Sequence, residues 1–183
     1  MTTYIALLRG INVSGHNIIK MVTLKKLFFG LGYQDVITYI QSGNVIFKSN
    51  LKESFLTIQD TIISAISKQF GYTVNVLVLN KSELLTIYNS NPFLAKDAAM
   101  DISKLHVTLL NTEPDMSKKH HIEELVLESA DEFIIQGKNV FLHCPNGQAK
   151  TKLTTNLFEK KLNSSATTRN WKTITKLTEL SFN

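Results

Sequence analysis

The order in which the hydrophobic period changes over the first eighty residues constrains this chain more than any other feature. Residues 3–8 form a short, continuous apolar run and read as a buried strand. Leu24, Leu27, Phe28 and Leu31 then recur at i, i+3, i+4, i+7, the stripe of an amphipathic helix. Gly30 and Gly32 follow, residue types able to close a helix in the left-handed conformation. Residues 36–41 are β-branched and aromatic and read as a strand. Ser42-Gly43-Asn44 is a tight turn, from which residues 45–47 return as a hairpin partner. Phe55, Ile58, Ile62, Ile66 and Phe70 mark a second helix, with Ser49 or Asn50 as the expected N-cap and Gly71 as the stop. Residues 73–79 are a fourth strand. The order β-α-β-β-α-β is the split βαβ pattern of ferredoxin-like folds.

The second half is similar in kind. Asn80-Lys81-Ser82-Glu83 has the spacing of a capping box before Leu84, Leu85 and Tyr88, and Asn91-Pro92 stops that helix. Leu105, Val107 and Leu109 alternate along a strand, and a helix is expected over 117–128. Residues 133–136 and 140–143 flank Gly137-Lys138, a hairpin signal. Leu153, Leu157, Phe158 and Leu162 form another helix, and Trp171, Ile174, Leu177 and Leu180 the last. The expected class is α+β: a ferredoxin-like βαββαβ subdomain over 1–80, then a second, smaller α+β subdomain over 81–183. That second part reads as β-α-β-β-α plus an extra helix at each end, the outline of a diverged structural duplicate without residue-level identity. No flexible linker separates the two, so close packing is expected.

No run of 18 apolar residues exists, so no transmembrane helix is expected. The N-terminus lacks a basic region and goes straight into strand-like sequence, so no signal peptide is read. A single cysteine, Cys144, excludes an internal disulfide and a cysteine-rich zinc site. Together these point to the cytoplasm. The net charge of +5 permits a polyanionic partner. Eighteen of the basic residues are Lys and only two, Arg9 and Arg169, are Arg. A guanidinium offers a planar fork to phosphate or carboxylate that an ammonium does not. The other role open to each Arg is to tie down a carboxylate or a helix end.

Three segments carry potential chemistry. The loop of residues 9–17 joins a strand to a helix and holds Arg9, Gly10, Asn12, Gly15, His16 and Asn17. Glycines let backbone N–H groups approach a ligand, and a helix N-terminus attracts anions. The loop is neither a Walker A sequence, because His16-Asn17 follows Gly15, nor a dinucleotide fingerprint. The turn holding Ser42 and Asn44 is the second segment, although those residue types also serve a turn's own hydrogen bonds. Sequence does not place this turn and the loop at the same end of the sheet. Thr167-Thr168-Arg169-Asn170-Trp171 is the third: two threonines to cap the last helix, Arg169 and Asn170 near its positive end, and Trp171 to stack on a base or anchor the core. His143 and Cys144 are adjacent on a strand end and point to opposite faces, so they are not a pair. His120-His121 lacks an i+4 partner, and no metal site is predicted. His106 reads as a packed or edge histidine. Asp and Glu are scattered and form no dyad.

These stretches also carry a resemblance. Residues 8–17 with Met21, residues 38–45, and Thr168-Arg169-Asn170-Trp171 with Thr173 resemble the family known as domain of unknown function 1697, from the first strand to the last helix. The family is mainly bacterial. The resemblance implies an α+β fold with a ferredoxin-like part, makes the three stretches the family's hallmark, and brings no established activity. Ser14 departs from the family, which commonly has a second consecutive glycine there. Residues 145–150 are looser than the family's Gly/Ser-Lys pattern.

The leading expectation is a binding or catalytic pocket for an anionic small molecule, a nucleotide or phosphorylated metabolite. Arg9 and Arg169 would hold the anion. Gly10, Asn12, Gly15, His16 and Asn17 would contact it, with Ser42, Asn44, Asn170 and Trp171 beside them. The alternatives are a nucleic-acid-binding module using the sheet and the basic surface, or a structural protein without a small-molecule site. No cofactor and no membrane partner is predicted. Reaction type and oligomeric state are not written in the sequence.

Overall fold

The computed structural model describes residues 1–50 and 53–182. The chain divides into two compact units, Met1–Thr86 with Lys176–Asn183, and Ile87–Thr175. The first unit contains β1 (Thr2–Leu8), α1 (Met21–Gly30), β2 (Gln34–Tyr39), β3 (Asn44–Ser49), α2 (Phe55–Phe70) and β4 (Val76–Asn80). Its sheet has the order β2-β3-β1-β4 with every neighbouring pair antiparallel. Along β1, Tyr4, Ala6 and Leu8 pack with Leu24, Phe28, Phe47, Ile58, Ile62 and Ile66 in one core. Ile5 and Leu7 alternate with them and are fully buried as well. A strand buried on both faces needs an unbroken apolar run, and residues 3–8 supply it. Each buried Ile or Leu of β1 contributes roughly 1.5–3 kcal/mol by leaving water.

The start of α2 corrects an expectation. Its cap is Ser54, whose hydroxyl accepts a hydrogen bond from the Thr57 N–H at 3.1 Å. Ser49 is the last residue of β3. An N-cap must directly precede the first helical residue, here Phe55, to reach N–H groups that lack intrahelical partners. Gly71 closes α2 at φ +73, as glycine can.

Next comes α3 (Lys81–Asn89), which opens on a reciprocal box. The Asn80 side chain accepts from the Glu83 N–H at 2.8 Å, and the Glu83 carboxylate accepts from the Asn80 N–H at 2.9 Å. After it follow α4 (Pro92–Lys96), β5 (Leu105–Leu110), α5 (Lys119–Val126), β6 (Glu132–Gln136), β7 (Asn139–His143), α6 (Thr155–Leu162), β8 (Ala166–Asn170) and α7 (Trp171–Ser181). Strand β8 is absent from the sequence reading. It completes a sheet of order β6-β7-β5-β8, again wholly antiparallel. The second unit therefore repeats the strand order of the first, as β5-α5-β6-β7-α6-β8. Thr167 and Thr168 lie in β8 rather than capping α7. β-branched residues suit a strand, and Thr168 Oγ1 sits 2.7 Å from both Thr108 Oγ1 of β5 and Thr155 Oγ1 of α6. The cap of α7 is Asn170, which accepts from the Thr173 N–H at 2.8 Å.

His106 lies on β5 at 8% exposure, and its Nδ1 is buried with no hydrogen-bond partner among the described residues. Burial pushes its pKa below the ordinary histidine value, outweighing a backbone contact with Lys104 that acts the other way. Between the folded value and about 6.5 the unfolded chain binds the proton and the folded chain does not. The stability His106 contributes is therefore complete above about pH 6.5 and is lost as pH falls through the folded value. Urea midpoints at pH 8 and pH 5 should differ more for the wild type than for His106→Leu. Equal differences would show that His106 does not titrate on unfolding.

Candidate functional site

Because β1 runs antiparallel to both β3 and β4, its C-terminal end lies beside the first residues of each. Leu8 N–H donates to the Gly43 carbonyl at 2.8 Å, and Arg9 N–H donates to the Asn75 carbonyl at 2.9 Å. The loop of residues 9–17 thus starts between two anchored neighbours, and the β2–β3 turn stands at the same end of the sheet. The sequence reading left this juxtaposition open.

Within the loop, Gly10, Asn12, Ser14, Gly15 and Asn17 all have left-handed φ, between +47° and +79°. Three of them are not glycine, and Asn is the non-glycine residue that tolerates this region best. Ser14 takes φ +49°, a region that glycine enters without a Cβ penalty. Asn12 holds the loop in place with both ends of its side chain. Its Nδ2 donates to the Ile19 carbonyl at 2.9 Å and to the Gln41 carbonyl at 2.8 Å, while its Oδ1 accepts from the Ile19 N–H at 2.8 Å. Asn17 Nδ2 donates to the Gly10 carbonyl at 3.0 Å, and His16 N–H donates to the Val13 carbonyl at 2.9 Å. Val13, Ser14, Gly15 and His16 are exposed at the tip, and Arg9 is half-buried at its root.

The turn is fitted to the loop. A Cβ on Gly43 would stand 2.7 Å from Leu8 Cβ and 2.9 Å from Ile11 Cδ1. Asn44 is fully buried, and its Nδ2 donates to the Tyr39 carbonyl and to Ser42 Oγ, each at 3.0 Å. Asn12 and Asn44 therefore act as positioning residues whose amides are spent on the fold, and Ser42 orients Asn44. The loop leads into α1, whose N-cap, Lys20, makes no side-chain cap bond and whose first turn holds no acidic residue. Such a helix start keeps its positive end.

The third segment belongs to the second unit. Arg169 is on β8, paired with Val107, and is 8% exposed. Its Nη1 donates to Thr167 Oγ1 at 2.8 Å and to the Thr168 carbonyl at 2.9 Å. Burial lowers its pKa to about 10, so the guanidinium stays charged at neutral pH. Trp171 is 1% exposed, with its ring 6.2 Å from that of Tyr88 at an interplanar angle of 7° and 6.1 Å from that of Phe141. It is a core anchor rather than a stacking platform. Cys144 is buried and its thiol is pushed up to about 11 by desolvation, so it is protonated at neutral pH and is no ready nucleophile.

The family model described as "Protein of unknown function (DUF1697)" matches residues 1–141. The chain belongs to this family. The DUF1697 match takes in the loop and the turn, and the Thr168–Trp171 stretch lies beyond it. Among solved structures, the chain is similar to the conserved bacterial protein SP0830 from Streptococcus pneumoniae, with a TM-score of 0.76 and 23% identity, covering 98% of each chain. At that identity the likeness speaks for the fold. No curated protein matches the sequence. The residues that sequence reasoning missed are those acting through backbone carbonyls, Ile19, Gln41 and Asn75. Side-chain identity carries no signal for such roles.

Proposed function

We propose that the loop of residues 9–17 in this DUF1697 chain binds an anionic small molecule, a nucleotide or phosphorylated metabolite. One observation carries the reading: a loop whose φ sign alternates from Gly10 to Ser14, braced by Asn12, leads into a helix start with no acidic residue. Alternating handedness turns backbone N–H groups into a concavity that favours an anion, and the helix dipole adds to it. Arg9 supplies the full positive charge, and Lys20 stands at the helix entrance. A Cβ at Gly10 or Gly15 would meet nothing within 4 Å among the described residues, so the backbone at both positions is open on that side, which supports the reading. Compared with the sequence expectation, the reading narrows to the first unit, because Asn170 caps a helix and Trp171 fills a core.

Nucleic-acid binding by the sheet of the first unit has less support. Base stacking needs aromatic side chains exposed on a sheet face. Tyr4 and Phe47 lie in the helix-side core, and Ile5 and Leu7 on the other face are themselves buried.

Thermal unfolding with pyrophosphate, ADP and GDP tests the proposal. A ligand at one hundred times its Kd stabilises by about 2.7 kcal/mol, which raises Tm by roughly 5–10 °C in a protein of this size. Arg9→Ala and Gly15→Val should each lose most of that rise. A rise of the same size in both variants, or none in the wild type with any of the three, would contradict the assignment.

A further inference from the structure

We propose that a groove between α5 and β6 in the second unit binds an extended, lysine- or arginine-rich peptide segment of a partner protein, which adds to β6 as a fifth strand. The groove has a volume of about 600 Å³ and is walled by Lys119, Glu123 and Leu127 on the helix side and by Phe133, Ile134 and Ile135 of the strand. β6 is the terminal strand of its sheet and, among the described residues, pairs only with β7, in continuous register from Glu132 to Gln136.

Proteins ordinarily protect such an edge with lysine, proline or a bulge. Glu132-Phe133-Ile134-Ile135-Gln136 has none of these, and its one charged side chain, Glu132, stands at the strand's first position. Strand β2, an edge of the other sheet, carries a register break between Gln34 and Ile37. The apolar surface is concentrated at the same place. Among the described residues of the second unit, four large hydrophobic side chains are exposed: Tyr88, Met116, Leu127 and Ile134. The last three all line this groove, Leu127 at 78% exposure. Clustered exposed apolar side chains beside an open strand edge mark a site for strand addition, where main-chain bonds give affinity and alternate side chains give selectivity.

Charge selects the occupant. Residues 113–132 hold seven of the chain's 15 acidic residues and two of its 20 Lys and Arg, a local balance of −5 within a chain of +5. A segment with apolar residues at every second position would lay them beside Phe133 and Ile135 on the face toward Leu127, and present its cations on the face of Ile134 and Glu132, whose carboxylate meets His143 Nδ1 at 3.0 Å. Pairing of β6 with β6 of a second copy would instead bring two such acidic stretches together, which like-charge repulsion opposes.

The test is fluorescence anisotropy with a labelled seven-residue peptide alternating Lys and Val, set against one alternating Glu and Val, on the full-length protein. The Lys/Val peptide should bind saturably, more weakly as NaCl rises, and the Glu/Val peptide should not bind. Ile134→Lys and Leu127→Lys change exposed side chains, so both variants should keep the wild-type circular dichroism while losing at least about tenfold in affinity. No binding of the Lys/Val peptide, equal binding of the two peptides, or unchanged affinity in both variants would overturn the proposal. So would sedimentation showing wild-type dimers that Ile134→Lys dissolves, since the groove would then belong to a second copy.

Discussion

Gly43→Ala should lower the unfolding free energy by about 4 kcal/mol, with a fall in Tm of roughly 12 °C. Two costs add at this position. The backbone is at φ +76, where an L side chain is disfavoured by about 1–2 kcal/mol. The new methyl would also stand 2.7 Å from Leu8 Cβ, on a β1 residue that is fully buried and bonded to the Gly43 carbonyl, so the strand would have to shift. Overpacking of that kind costs about 1–3 kcal/mol. Urea unfolding with an unchanged m-value checks it. Gly15→Ala is the control: its φ is +79, but a Cβ there meets nothing within 4 Å, so it should cost only about 1–2 kcal/mol. Equal losses at the two glycines would show that the turn does not press on β1.

Asn12→Ala should cost about 3 kcal/mol and abolish the anion response. It removes three side-chain hydrogen bonds, each worth about 0.5–1.5 kcal/mol net, and places alanine at φ +54. Asn12→Gly loses the same bonds without the backbone strain and should recover about 1 kcal/mol. Neither variant should restore the response, because both release the loop from Gln41 and Ile19. Unfolding curves for the three proteins, with and without pyrophosphate, separate the two contributions. An Asn12→Gly protein with a wild-type anion response would mean that the brace is not needed for the site.

Much of this architecture is legible in the sequence, for local reasons. The first unit announces itself because its apolar period switches between runs, 3.6-residue stripes and hairpins, and each switch has glycine or a capping residue beside it. The capping box at Asn80 and Glu83 is read correctly for the same reason, since its two partners are three residues apart. Features that depend on distant partners are not legible. Ala166-Thr167-Thr168-Arg169-Asn170 has one apolar residue and looks like a helix cap, but it becomes β8 because the free side of β5 accepts it and Thr108, sixty residues away, meets Thr168. The Asn12–Gln41 bond, across 29 residues, depends on sheet order rather than on either segment alone. Arginine scarcity flagged Arg9 and Arg169 alike, yet scarcity says nothing of burial, and the second proves to be a charged group inside a strand.

The reading that links these residues is that loop and turn form one braced unit presenting backbone N–H groups to an anion. Amide chemical shifts in an ¹⁵N-labelled sample titrated with pyrophosphate test this most directly. The account predicts progressive, saturable shifts centred on Gly10, Val13, Ser14, Gly15, Met21 and Val22, and none at Thr167 or Asn170. Shifts confined to other residues, or spread over lysine-rich surface without saturation, would contradict it.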